Sequence, residues 1–465
     1  MGESLNLVKP RFLPPLDEAF RPAVSTNRAF QDEVAASGGG TPLVLALERT
    51  DGSVSRFETR VFPADHPRAG ANLAYAERIF KFLLWQRGGW KAYIGGPKQV
   101  GDHIAACYSP NGARAFDYHF MGEDVYDRTF TVVSCDPTEV PAERESGKPL
   151  GRHLDGCRIG FDLGASDRKV SAVIDGQAVF SEEVVWEPRI NADPEYHYRE
   201  VMTALKTAAK KMPRVDAIGG SSAGVYINNQ VRVASLFRGV PKERYGEIRT
   251  LFLRIRDEMG VPLEITNDGD VTALAGSMSL DDGGVLGIAM GSSEASGYVN
   301  SEGNIVGWLN EMAFAPIDYN PNGPIDEWSQ DRGVGASYFS QQCVFRLAPK
   351  VGIELPEDVT LAAKLKVVQE KLEAGHEGAA KIWQSIGTYL GYGLAHYADF
   401  YEIRHVLILG RCTSGSGGQI ILDGARQVIE AEFPELARQV HIQLPDEKSR
   451  RVGQSIAAAS LPVLG

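Results

Sequence analysis

The sequence predicts an α/β protein of more than one domain, on three observations. Its 465 residues exceed what one hydrophobic core organises. Strand-length apolar runs alternate with stretches in which apolar residues recur at helical spacing. Three of the strands run into well-separated turns rich in small residues, whose backbone N–H groups could approach a ligand.

Residues 1–40, rich in Pro, Ala and Gly and ending in Ser37-Gly38-Gly39-Gly40, read as an N-terminal arm and a flexible joint. An α/β extension of unknown role follows over 41–150. It opens with a hairpin, Leu43–Leu47 and Val54–Phe62 around Thr50-Asp51-Gly52-Ser53. The helix Asn72–Gln86 carries Leu73, Ala76, Ile79, Phe80, Leu83 and Leu84 on one stripe, and the strand Trp90–Ile94 stops at Gly95-Gly96-Pro97. A β-rich stretch then leads to a polar linker, Glu143–Gly151.

Residues 151–275 repeat the order strand, turn, strand, helix, strand. Arg158–Leu163 enters the turn Gly164-Ala165-Ser166, a second strand leaves it, and Asp175-Gly176 marks a hairpin into a third. A helix Pro194–Lys211, a strand Val215–Ile218 stopping at Gly219-Gly220 and a helix Lys242–Met259 come next. The strand at Leu263 runs into Thr266-Asn267-Asp268 and an Ala-rich helix, so acids sit at a helix N-terminus. Over 276–465, a buried strand at Gly284–Ile288 meets the turn Gly291-Ser292-Ser293, and 308–345 is irregular and aromatic. Helices at 359–374 and 376–400 precede the strand His405–Leu409 and the loop Gly410 to Gly418. A strand His441–Leu444 and a helix Ser449–Leu461 close the chain.

Composition narrows the partners. A net charge of −12 without a basic tract argues against nucleic acid. No apolar run is long enough for a bilayer, and the start, Met1 to Pro10, lacks the basic and apolar regions of a secretory signal. The five cysteines are scattered without Cys-x-x-Cys spacing, which fits a cytoplasmic protein with buried thiols. No two histidines have metal-ligand spacing.

Taken alone, Asp162 before Gly164-Ala165-Ser166 also suits an ordinary hairpin turn, and Asp268 also suits a helix cap with Asp270 as a first-turn acid. Their order along the chain, with no G-x-x-x-x-G-K-[ST], points instead to a nucleotide whose phosphates rest on several separate turns.

That order resembles the superfamily of actin, heat-shock chaperones and sugar kinases, and within it the ROK family (repressor, open reading frame, kinase). Asp162-Leu163-Gly164-Ala165-Ser166 resembles the family's first phosphate motif, Asp-x-Gly-Gly-Thr. Asn267-Asp268-Gly269-Asp270-Val271-Thr272-Ala273-Leu274-Ala275-Gly276 is similar to Asn-Asp-Ala-x-Ala-Ala-Ala-Leu-Gly-Glu, whose Asp is the catalytic base. Gly291 to Gly297 is loosely similar to the second phosphate turn, Leu409-Gly410 with Ser414 to Gly418 to the adenosine motif, and Gly453 to Ala459 to the last helix.

The resemblance covers about 157–465 and implies two actin-like (ribonuclease H-like) lobes with an interlobe cleft. The N-terminal lobe would be 151–275, and the C-terminal lobe 276–465 with its last helix returning to the first. It implies an ATP-dependent kinase with Asp268 as general base and a Mg²⁺ near Asp162. Gly164, Ala165, Ser166, Gly291, Ser292, Ser293, Gly410, Gly417 and Gly418 would hold the nucleotide, and Ser235, Asn267, Glu311 and Arg332 the acceptor. A soluble homo-oligomer with no nucleic-acid or membrane partner is expected.

The departures fall on the acceptor side. Family members carry Glu-x-Gly-His and Cys-x-Cys-Gly-x-x-Gly-Cys-x-Glu, a zinc knot; this chain has Phe314 for the His, Val334 for a Cys and Ala336 for the sugar-binding Glu. Zinc is therefore not expected, and an acceptor other than plain glucose is. Trp308, Tyr319, Trp328 and Asp331 are further pocket candidates, although core packing is the better account of each aromatic singly and Asp331-Arg332 also suits a surface ion pair. The alternative to a kinase is a nucleotide- or metabolite-binding regulatory protein that has lost phosphoryl transfer.

Overall fold

The computed structural model describes residues 4–145, 150–445 and 447–464. The first three residues of the expected arm and the middle of the expected linker Glu143–Gly151 lie outside them. The protein is α/β, as the periodicities predict. Two compact units divide the chain. One comprises Met1–Ser146, Ile288–Ser296 and Trp308–Leu444; the other comprises Gly147–Gly287, Gly297–Gly307 and Pro445–Gly465.

In the first unit, β1 (Thr41–Glu48), β2 (Val54–Val61), β3 (Lys91–Gly95) and β4 (Thr131–Cys135) form a sheet in the order β2-β1-β3-β4. β1 is antiparallel to both β2 and β3, and β3 is parallel to β4. The helix Ala71–Arg87 matches its expected span but buries Glu77 and Lys81 along with its apolar stripe.

Residues 23–36, inside the stretch read as an arm, form a helix. Val24, Asn27, Phe30 and Val34 are buried at helical spacing, and Phe30 stacks on Tyr75 at 4.2 Å. Phe20 lies edge-on to Tyr389, at 4.9 Å. The Pro and Gly content of these residues masked a periodicity that tertiary packing uses.

The second unit holds β5 (Cys157–Leu163), β6 (Asp167–Ile174), β7 (Gln177–Val185), β8 (Ala217–Ser222), a small ribbon of β9 (Val225–Ile227) and β10 (Gln230–Val233), and β11 (Leu263–Asn267). Its main sheet runs β11-β8-β5-β6-β7. β5, β6 and β7 form an antiparallel meander, whereas β5, β8 and β11 are parallel.

β8 continues through Gly219-Gly220, where the sequence suggested a stop. A Cβ at Gly219 would lie 1.6 Å from the Ala458 carbonyl oxygen, and one at Gly160 of β5 would lie 1.9 Å from that of Ser455. These glycines let the helix Glu447–Ala459 press its backbone onto β5 and β8. The expected helix Lys242–Met259 is divided at Thr250 into Tyr245–Arg249 and Leu251–Met259, the latter ended by left-handed Gly260 (φ 68°).

A third sheet, β13-β12-β14-β15, is built from β12 (Val285–Met290), β13 (Glu294–Val299), β14 (His405–Leu409) and β15 (His441–Gln443). The segment 308–345 is irregular as expected, with 3₁₀ turns at Met312–Phe314 and Gly335–Ser337 and a short helix Gln341–Leu347. Among the described residues no helix is long and apolar enough to cross a membrane.

Candidate functional site

Strand register assembles the acids of the second unit. Asp162 of β5 pairs with Ser221 of β8, Ser221 pairs with Thr266 of β11, and Ser222 pairs with Asn267. With strands about 4.8 Å apart, this brings Asp162 and the Thr266-Asn267-Asp268 turn to one end of three parallel strands, their carboxyl ends. Asp268 is the first residue of the helix Asp268–Leu280.

The Ser221 hydroxyl donates to Asp162 Oδ1 at 2.7 Å, and Lys169 Nζ lies 4.0 Å from Oδ2. Burial lifts the Asp162 carboxyl above its ordinary range, against the pull of Ser221 and Lys169. Burial likewise pushes Asp268 up to about 6, and the charge of Asp162 adds to the rise. Asn267 does the structural work at this point: Oδ1 caps Gly269 N–H at 2.7 Å and Nδ2 donates to the Gly224 carbonyl at 2.9 Å. Asp270 is buried and accepts from Tyr298 N–H at 3.1 Å.

The turn after β5 is pinned from below and open above. Gly164 N–H donates to the Asp167 carbonyl at 2.9 Å, and Trp186 donates through its indole to the Gly164 carbonyl and through its backbone to that of Ser166. Among the described residues the N–H groups of Ala165 and Ser166 have no acceptor, and both side chains are exposed. The Asp162 carboxylate could hold a hydrated Mg²⁺ that would take its remaining ligands from phosphate and water. No group of three or more His, Cys, Asp or Glu able to hold a metal occurs among the described residues.

Ser235 opens the 3₁₀ turn Ser235–Phe237 with its side chain exposed. The remaining predicted residues belong to the first unit. Gly291 closes a tight turn by donating to the Ser293 carbonyl at 3.0 Å, and Ser292 and Ser293 are exposed. Gly410 (φ 93°) abuts the Met290 backbone. Gly417 and Gly418 are buried, with Trp383 and the Thr413 carbonyl where a Cβ would sit, so packing accounts for them. Glu311 donates its N–H to the Trp85 carbonyl, and the Arg332 guanidinium donates to the Gly323 carbonyl at 3.0 Å.

Asp331 is not a surface partner of Arg332. It is buried among Arg114 (2.7 Å), Arg78 (2.9 Å) and Lys81 (3.3 Å), and their charge holds its carboxyl below the usual range despite burial. Sequence reasoning missed this cage, Ser221, Lys169 and Glu294. Glu294, just after the second turn, accepts from Ser296 and Tyr397 hydroxyls at 3.1 Å on Oε1, and burial pushes it up to about 8. The available signals were Ser221 at a strand end and the charges Glu77 and Lys81, four apart within an apolar helix.

No protein-family model and no curated protein matches the chain. Solved structures do. A ROK hexokinase from Thermus thermophilus aligns over 65% of this chain and 97% of its own at 16% identity, with a TM-score of 0.51. Over the aligned part the chain shares the fold of this ROK hexokinase. A ROK family transcriptional regulator, homologous to the Escherichia coli MLC protein, covers 66% of this chain and 79% of its own at 17% identity and TM-score 0.49. A ROK family glucokinase from Streptomyces griseus, in complex with glucose and AMPPNP, covers 65% and 99% at 19% and 0.45. About a third of the chain therefore lies outside each alignment with these ROK structures.

Proposed function

We propose that the protein is a divergent ROK-type kinase that transfers the γ-phosphoryl group of ATP to a hydroxyl of a sugar-like small molecule in the cytoplasm. The observation that carries this reading is the acid pair: Asp268 at a helix start, raised to about 6 by burial and by Asp162. A carboxylate of that pKa is ionised at neutral pH and accepts a proton more readily than a free one, as a general base must. Asp268 would take the acceptor's hydroxyl proton as the new O–P bond forms and the β,γ-bridging P–O bond breaks, releasing ADP. Asp162 and the Ala165 and Ser166 N–H groups would hold phosphate and Mg²⁺, which when bound neutralises phosphate charge. Gly291, Ser292, Ser293 and Gly410 stand as proposed nucleotide contacts of their own unit, and Glu311 as an acceptor contact.

One observation favours a second reading, a regulatory protein that binds a nucleotide or metabolite without transfer. Phe314, where the resembling motif has a His, packs 4.3 Å from Trp85. Calorimetric titration with MgATP on the wild type and Asp268→Asn, then a phosphorylation screen over sugars, amino sugars and polyols, separates the two. Binding by both with transfer by the wild type alone supports the kinase; binding without transfer on any acceptor supports the regulator; no binding overturns both nucleotide readings.

A further inference from the structure

Beside the helix Ala71–Arg87, the first unit contains a cavity of about 380 Å³, within the size range of small-molecule sites. Leu5, Leu7, Ala74, Tyr319 and Pro321 give it apolar walls, and Glu77, Arg78, Asp331, Arg332, Asp318 and Asn320 its polar ones.

The polar groups can be audited donor by donor. Glu77 accepts from Arg78 and Arg114 on both oxygens. Asp331 accepts from Arg332 N–H and Arg114 on one oxygen and from Arg78 and Lys81 on the other. Asp318 accepts from the Arg21 and Asn320 N–H groups and the Tyr338 hydroxyl. Arg78 spends all three guanidinium nitrogens on Glu77 and Asp331. Every wall acid is thus supplied with donors.

Two donors remain. Arg332 is exposed, forms no ion pair among the described residues, and uses only Nη1, on the Gly323 carbonyl. Asn320 accepts from Asn322 N–H through Oδ1, and its Nδ2 has no acceptor among the described residues. A site with spare donors, an unpaired guanidinium and apolar walls matches a ligand that supplies acceptors and negative charge on an apolar body.

We propose that this cavity binds a small organic anion, a carboxylate or a phosphate monoester with an apolar body, and that Arg332 grips its head group. The site is independent of the acid pair, and Arg332, which the resemblance would place on the acceptor side, serves the anion instead. Calorimetric titration of the full chain with hexanoate, phenyl phosphate, hexanamide and inorganic phosphate tests it. One or both organic anions are expected to bind saturably, which identifies the head group, with hexanamide and inorganic phosphate at least tenfold weaker. Arg332→Gln and, separately, Leu7→Asp should each weaken that binding at least tenfold without lowering Tm, whereas Asp268→Asn should leave it unchanged. Absence of saturable binding by either anion, equal binding of hexanamide or inorganic phosphate, or undiminished binding by Arg332→Gln or Leu7→Asp would overturn the proposal.

Discussion

Replacing Asp268 with Asn is expected to stabilise the unit that carries it while abolishing phosphoryl transfer. The Asp268 carboxyl titrates near 6 in the fold against 3.8 for an ordinary aspartate, first through burial and then through Asp162. A rise of that size corresponds to about 3 kcal/mol of preference for the protonated form. Its sign follows from linkage. Between pH 4 and 6 the native state keeps a proton that the unfolded chain has released, so stability falls as pH rises through that window, and the deficit is complete above 6. Asn carries no such deficit. The variant should match the wild type near pH 4 and exceed it at pH 8 by about 1–3 kcal/mol, roughly 3–10 °C in Tm for a unit of this size. Scanning calorimetry at both pH values reads the difference, and transfer should drop by at least about 10²-fold. A Tm difference that is the same at pH 4 and pH 8, or a variant less stable at pH 8, would refute the reasoning.

Other substitutions probe the rest of the fold. Glu294→Gln should remove a stability loss that the wild type accumulates as pH rises from about 4.5 to about 8, since its acid is held protonated by burial; Tm across that range should fall more steeply for the wild type. Asp331→Ala leaves Arg78, Lys81 and Arg114 short of their shared anion and should cost about 3–5 kcal/mol, read by denaturant unfolding. Gly219→Ala drives a methyl against the Ala458 carbonyl, so amide protons of the helix Glu447–Ala459 should lose protection in hydrogen exchange.

What was legible in the sequence is what is local. The Asp162 turn and the Asn267-Asp268 helix start are each written in a few consecutive residues, and both elements form where expected. The register that aligns Asp162, Ser221 and Asn267 across three strands is not local, so nothing in the sequence around Ser221 pointed to it. Gly219 and Gly220 read as punctuation because their true constraint, a helix from the far end of the chain, shares no sequence neighbourhood with them. The Asp331 cage joins residues 78, 81, 114 and 331 and left only a trace, charges on an otherwise apolar helical stripe.

That cage bears on why the acceptor side departs from the resembling family. Val334 and Ala336, where the resembling motif has a Cys and a Glu, are buried, Phe314 packs at a tilt against Trp85, and Asp331 is tied by cations from the first 146 residues. Apolar packing and ion pairs therefore surround the loop that resembles the family's zinc knot. The acid side has not been rebuilt in this way. A helix cap needs only Asn267, which already satisfies Gly269. Asp268 adds a charge that burial and Asp162 both oppose, and a neutral Asn there would relieve that cost. A destabilising carboxylate beside an intact cap is what a working proton acceptor requires and a scaffold does not, which weighs for a kinase with an altered acceptor over a protein that only binds.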